Sequence, residues 1–297
     1  MNQTDILIWI TKWQNPFLDF IASILTFLGN EEFYFLILPL IYWCFSKQMG
    51  FRLFYIFLLS MYSNAFLKVN IAVTRPIGSE GISSIFVESA QVGSHYPHDS
   101  FPSGHAQGST TLWGYLAYMV KQRNFTIFAC ILIFLISCSR LYSGLHWPID
   151  VISGILIGLG IILLSFQLQQ WMSATTSTMK WGIVTLIPLV LMFVFPHDEG
   201  IKYSAFLLGA GIGYLLEKSF VNMEISPVLW RKIVVYVMGI IGIFALQGGL
   251  KVLLPPLLMW DFTRYVIIGL WGLLGAPYLF VLFGLYKKSP EEKDNDL

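Results

Sequence analysis

The chain has 297 residues, 56% of them apolar and 12% charged, with a mean hydropathy of +0.68 and a formal net charge of +1. A soluble domain carries about 25% charged residues, so roughly half the usual charge is missing. This balance excludes a disordered chain, a basic nucleic-acid-binding surface and an ordinary soluble enzyme, and it points to a polytopic helical membrane protein.

In chain order, the first ten residues lack a positive n-region and a small-residue cleavage site, so no signal peptide is expected. Residues 6–13 carry Trp9 and Trp13, which suits an interfacial segment. A membrane-crossing helix needs about 20 apolar residues, with about 17 to 25 tolerated. The candidate runs are 16–29, 31–46, 50–73, 104–121, 124–141, 147–172, 181–197, 201–217, 231–254 and 263–286. The first two are short and Asp19 interrupts the first, so 16–29 is expected as a full span or as a tilted or re-entrant segment. The expected fold is therefore an all-α polytopic membrane bundle. A six-helix core occupies residues 1–175, and about four additional transmembrane helices with a cytoplasmic tail occupy 176–297. Gly154 with Gly158, and Gly209 with Gly213, place small residues four apart, as close helix contacts require. Cys44, Cys130 and Cys138 lie in apolar runs without disulfide or zinc spacing, which leaves them to packing.

The basic residues give an orientation. If the loop at 47–49 is cytoplasmic, alternation puts 122–123, 173–180, 218–230 and the C-terminal tail on the same side. That side holds Lys47, Arg52, Lys121, Arg123, Lys180, Lys218, Arg231, Lys232, Lys287, Lys288 and Lys293. With Lys12, given an inside N-terminus, it holds 12 of the 18 Lys and Arg. The exceptions are Lys68, Arg75, Arg140, Lys202, Lys251 and Arg264, and three of them are grouped.

Lys68 and Arg75 are seven residues apart at the end of the third run, close to one helical face, and Pro76 ends the span. After a long loop come Pro102-Ser103-Gly104-His105, where Ser103 can cap a helix whose first amides form an anion site. The fifth run ends in Ser139-Arg140, and the sixth begins with His146-Trp147-Pro148-Ile149-Asp150. Asp150 lies one helical turn after His146, within reach of its imidazole. Alternating spans bring all three segments to one outer face. There Lys68, Arg75 and Arg140 would neutralise a phosphate dianion, and the amides of Ser103 and Gly104 would stabilise a pentavalent transition state. His146, held in one tautomer by Asp150, would attack phosphorus. His105 would protonate the leaving alkoxide and then activate water. Phosphoryl transfer needs little beyond positioning and charge, so neither metal nor cofactor is called for.

Lys68, Arg75-Pro76, Pro102-Ser103-Gly104-His105 and Ser139-Arg140 with His146 and Asp150 match, position by position, the tripartite signature of the type 2 phosphatidic acid phosphatase superfamily, which this chain resembles over residues 14–172. The resemblance implies a metal-independent phosphatase. In it His146 is phosphorylated, His105 is acid and base, Asp150 orients His146, and Lys68, Arg75, Ser103, Gly104 and Arg140 bind phosphate. Related vanadate-dependent haloperoxidases share the pocket but are soluble, which this composition excludes. Leu28-Gly29-Asn30-Glu31-Glu32-Phe33-Tyr34, then Leu38-Pro39-Leu40 and Trp43, look like the sphingosine-1-phosphate phosphatase branch, as do the extra runs after residue 175. That branch usually carries Thr where this chain has Gly104, a departure that bears on substrate rather than on phosphate chemistry.

Asn30, Glu31 and Glu32 are expected on the outer face, orienting Arg or Lys, contacting a headgroup, or simply facing water. The loop 77–101, with Glu80, Glu88, His95, His98 and Asp99, is a lid, a headgroup selector or a solvated loop; Asp99 stands only six residues before His105. The last four runs read as scaffold, homo-oligomer surface or lipid-tail wall, because intramembrane transport paths carry ionisable groups. The leading expectation is a plasma-membrane phosphatase with its site on the extracytoplasmic face. It would hydrolyse a lipid phosphomonoester that enters sideways from the bilayer. An undecaprenyl diphosphate phosphatase, a lipid phosphotransferase, and a non-enzymatic transporter or scaffold are the alternatives.

Overall fold

The computed structural model describes residues 2–90, 96–173 and 175–289, with side chains described except at 168–173. His95 and Lys293, named above, lie outside the described residues. Local sequence decides most helix boundaries. Helix α1 (Gln3–Thr11) opens on a reciprocal capping box between Asn2 and Asp5. Helix α2 (Pro16–Phe27) has Asn15 as N-cap and proline at its first position. Helix α3 (Glu31–Cys44) follows, then α4 (Lys47–Ile71), whose 25 residues span about 37 Å. It stops where Ala72 turns to a φ of 52°. Helix α5 (Gly104–Val120) starts directly after Pro102-Ser103 and stops at Lys121, in the left-handed region. Helices α6 (Arg123–Tyr142) and α7 (Pro148–Ser173) follow. The later helices are α8 (Ser177–Val194), α9 (Asp198–Leu216), α10 (Leu229–Leu253), α11 (Leu258–Leu270) and α12 (Ala276–Leu282).

Each expected run is thus helical. Seven described helices are long and apolar enough to cross a membrane, or up to eight with the pair α2–α3, bent by 52°, taken as one broken span. Helix α5 has 17 residues, at the lower limit, whereas α2 has 12, about 18 Å of helix against a hydrocarbon core of about 30 Å. The start of α2 is also tied to the end of α6. Gln14 Nε2 donates to the carbonyls of Ser83 and Tyr142 at 3.0 and 2.8 Å, and the Tyr142 hydroxyl donates to Asp19 at 2.6 Å. Gln3 accepts the Ile149 amide at the start of α7, 3.1 Å away. Residues 16–29 are therefore too short to cross alone and form, with α3, a broken span or a re-entrant loop, and Lys12 lies at the end of the bundle that carries His146. It leaves the set of cations grouped with Lys47, which stands at the far end of α4 from Lys68.

Two compact units divide the chain: Met1–Phe35 with Leu59–Ser165, and Leu36–Leu58 with Phe166–Leu297. In the first, α7 closes on the start of α5 because residues 154 and 158 have no side chain. A Cβ on Gly154 would stand 2.7 Å from the Ser103 carbonyl oxygen, and one on Gly158 2.9 Å from Thr110 Cβ. A buried polar seam joins α4 to α5. Gln107 donates to the Ser60 carbonyl at 2.7 Å and accepts from Asn64 at 2.8 Å, while Ser60 and Thr111 hydroxyls pair at 2.9 Å. Away from water these groups strongly disfavour any other register, so the seam fixes how α5 presents its first turn.

In the second unit, α9 and α11 approach at glycines: a Cβ on Gly209 would fall 2.2 Å from the Val266 carbonyl oxygen. Gly209→Ala should therefore cost about 1–3 kcal/mol through overpacking, read as a lower Tm in detergent; an unchanged Tm would show that the helices separate freely. A π-helical segment, Trp271–Gly275, links α11 to α12. The carbonyls it releases accept Trp43 Nε1 at 2.9 Å (Gly272) and the Tyr42 hydroxyl at 3.2 Å (Leu273). The spanning elements are all helical as expected; between the connecting segments β1 (Met223–Glu224) pairs antiparallel with β2 (Lys287–Lys288). Buried Glu217 causes it, accepting from the Met223 amide and from Lys47 Nζ, each at 2.8 Å, and so holding the chain extended there.

Candidate active site

The first unit gathers the eight motif residues at one end. Helix α4 supplies Lys68 from its last turn, α5 supplies Gly104 and His105 from its first, and α6 supplies Arg140 from its last. His146 and Asp150 flank the start of α7. Arg75 and Asp99 come from the loop between α4 and α5 and form a buried, bidentate ion pair: Nε to Oδ1 at 2.7 Å and Nη2 to Oδ2 at 2.9 Å. Lys68 Nζ donates to the Asp99 carbonyl. The remaining arm of Arg75, Nη1, donates to the Leu145 carbonyl at 3.0 Å and meets His146 Nε2 at 3.1 Å.

An arginine can only donate, so His146 Nε2 is the acceptor and carries the lone pair. Its Nδ1–H goes to the Ser100 carbonyl at 2.9 Å. This corrects the expectation that Asp150 holds the tautomer directly. The Asp150 carboxylate is 3.7 Å from Nδ1, beyond hydrogen-bonding distance. It accepts the Ser100 hydroxyl at 2.5 Å and the Trp147 amide at 2.8 Å. Asp150 therefore fixes Ser100, and the Ser100 main chain fixes the imidazole. Burial first, then the charges of Arg75, Lys68 and Arg140, hold His146 well below the usual imidazole range, so the ring is neutral at neutral pH.

That shift has a testable sign. Below about pH 6.5 the unfolded chain binds a proton at this position and the native site does not. Stability is thus present above that pH and falls as pH drops below it. Between pH 7 and 5.5 the wild type should lose about 1 kcal/mol through this group, and His146→Asn should lose less. Thermal unfolding in detergent at both pH values measures it, and equal losses would refute the neutral buried imidazole.

A second correction concerns Ser103. Its amide donates to the Asp150 carbonyl at 3.0 Å, so it is not turned to a ligand. Its hydroxyl makes no cap hydrogen bond; it is buried and has no partner among the described residues. Arg140 is fully buried with no carboxylate partner among the described residues. Nη1 reaches Thr26 Oγ1 at 3.4 Å and Ser89 Oγ at 3.3 Å, and its Nε has no partner among the described residues. Oriented, dehydrated donors left open in this way suit an oxyanion. Gly104 stands at the head of α5, with Asn64 Oδ1 only 3.3 Å from where a Cβ would sit.

Asn30 meets His105 Nε2 at 2.9 Å rather than an arginine or lysine. Glu31 and Glu32 occupy the exposed first turn of α3, where their charge favours the helix N-terminus. Part of the 77–101 loop folds back on the α6–α7 turn through Ser84 and brings Ser89 to Arg140, while His98 binds Thr74 at its exposed rim. Sequence reasoning missed Ser100 and the seam of Ser60, Asn64, Gln107 and Thr111. The seam had a signal, since each helix carries its two main polar residues four apart inside an apolar run.

A set of membrane-crossing helices, with Arg75 and Arg140 buried and Lys68 part-buried beside two histidines, defines a multi-pass integral membrane protein. Residues 50–174 match the PAP2 superfamily, and residues 201–288 match the PAP2 superfamily phosphatase transmembrane extension. The chain belongs to the PAP2 superfamily. It is 25% identical over 214 residues to a probable sphingosine-1-phosphate phosphatase of Dictyostelium discoideum, covering 67% of this chain and 51% of that one. To sphingosine-1-phosphate phosphatase 1 of Mus musculus it is 30% identical over 217 residues, 69% of this chain and 49% of that one. An undecaprenyl-diphosphatase of Sulfolobus acidocaldarius is 32% identical over 130 residues, 42% of this chain and 57% of that one. The chain thus spans about half the length of the curated relatives it matches.

Proposed function

We propose that this protein is an integral membrane lipid phosphatase that hydrolyses a phosphomonoester through a phosphohistidine on His146. The observation that carries the reading is the lone pair of His146 Nε2, 3.1 Å from Arg75 Nη1, beside open donors on Ser103 and Arg140. In the first step Nε2 attacks phosphorus, the P–O bond to the lipid breaks, and His105 gives its proton to the leaving oxygen. In the second, water attacks the phosphohistidine, its proton passes to His105, and the P–N bond breaks to release phosphate. Arg75, Arg140, Lys68, the Ser103 hydroxyl and the Gly104 amide hold the equatorial oxygens. Positive charge comes from side chains, so the cycle is proposed to run without a metal.

The names of the relatives support a sphingoid-base phosphate or phosphatidic-acid-like substrate. The undecaprenyl-diphosphatase likeness favours a polyprenyl diphosphate as the second reading. The distribution of Lys and Arg supports a site on the extracytoplasmic face of the plasma membrane. Detergent-purified protein, with chelator present, should release phosphate from one of sphingoid-base phosphate, phosphatidic acid, phosphatidylglycerol phosphate or polyprenyl diphosphate, and vanadate should inhibit. No release from any of the four, or release only on adding magnesium, would sink the reading.

A further inference from the structure

The break between α2 and α3 belongs to none of the three motifs, yet it lies against His105. Asn30 Oδ1 stands 2.9 Å from His105 Nε2. A Cβ on Gly29 would fall 2.5 Å from His105 Cδ2 and 3.0 Å from Cγ. Glycine there lets the main chain lie along the Cβ–Cγ–Cδ2 side of the imidazole. Thr26 turns its hydroxyl to Arg140.

The Thr26 carbonyl accepts the Gly29 amide at 3.0 Å, which holds the turn that presents Asn30. An amide oxygen can only accept, so His105 Nε2, which faces Asn30 Oδ1, carries a proton. With Nε2–H held in this way, Nδ1 is the nitrogen left to exchange protons with the reaction. We infer that Asn30, seated by Gly29, is a positioning residue for His105. It fixes the Nε2–H tautomer, so that Nδ1 gives its proton to the leaving oxygen in the first step and takes one from water in the second. An amide behind a catalytic histidine does the same in cysteine proteases. The inference rests on the proposed acid/base role of His105.

A general acid matters most when the leaving oxygen is strongly basic. The test compares a long-chain alkyl phosphate with a nitrophenyl phosphate carrying the same chain, whose phenolate leaves without a proton. Turnover of both is measured for wild type, Asn30→Ala, Asn30→Asp and His105→Ala. Asn30→Ala should lose about 30- to 100-fold on the alkyl ester and less than about 5-fold on the aryl ester, a milder form of the His105→Ala pattern. Asn30→Asp, isosteric and still an acceptor, should keep most aryl turnover. It should also move the basic limb of kcat to higher pH, because a carboxylate stabilises the imidazolium.

A structural role alone would lower both substrates alike and leave the basic limb in place, and that result overturns the inference. Selectivity in His105→Ala without any in Asn30→Ala defeats the inference and leaves the proposed function standing. No selectivity in His105→Ala defeats the acid/base reading, and the inference with it. Should Asn30→Ala fail to fold, a folded Asn30→Asp with an unmoved basic limb is equally decisive against it.

Discussion

His146→Ala protein should lose at least about 10⁴-fold in kcat while remaining folded, because a nucleophile that forms the covalent intermediate has no substitute. The geometry makes the expectation specific to one atom. Nε2 accepts from Arg75 Nη1, the arm proposed to bind the incoming phosphoryl group, which would bring nucleophile and electrophile to the same arginine. Asp150→Asn should be far milder, a loss of about 10- to 100-fold, because the carboxylate reaches the ring only through Ser100. An amide at 150 can still accept from the Ser100 hydroxyl. Radiolabelled lipid phosphate, quenched within a single turnover, should leave acid-labile, base-stable label on the wild type and none on His146→Ala. Label retained by His146→Ala, or more than about 1% of wild-type turnover, would move the nucleophile elsewhere.

The contrast between His146 and Asp150 also marks what could be read from sequence. In a chain with 12% charged residues, Lys68, Arg75 and Arg140 stand out because apolar surroundings make each buried cation costly without a purpose. Hydropathy likewise locates the helices. What escaped was carried by main-chain atoms or by distant partners. The Ser100 carbonyl sets the His146 tautomer, and a carbonyl has no residue-type signature. The Ser103 amide was expected to face phosphate, but the Asp150 carbonyl takes it, a pairing set only by how α7 packs on α5 at Gly154. Asp19 was visible as an interruption of the first run. Its partner, the Tyr142 hydroxyl, lies 123 residues away, so nothing local in the run announces the bond that ties α2 to the end of α6.

Asp99→Asn should separate stability, binding and turnover in directions that no simple loss of structure reproduces. In the wild type, Asp99 takes Nε and Nη2 of Arg75 and leaves Nη1 to face His146. Removing one member of a buried ion pair costs about 3–5 kcal/mol, because the partner charge remains buried, and here Lys68 and Arg140 add to the uncompensated charge. Tm in detergent should therefore fall. The same excess of positive charge attracts an anion more strongly, so vanadate should bind more tightly than to wild type and raise the Tm of Asp99→Asn by more than it raises that of wild type. Turnover should nevertheless drop about 100-fold, since an Arg75 no longer gripped on two nitrogens loses the alignment that favours the transition state over bound phosphate. Tm with and without vanadate, together with kcat on the preferred lipid, tests all three. If Asp99→Asn binds vanadate more weakly while turnover is preserved, the carboxylate is itself a ligand-facing group and not the clamp on Arg75.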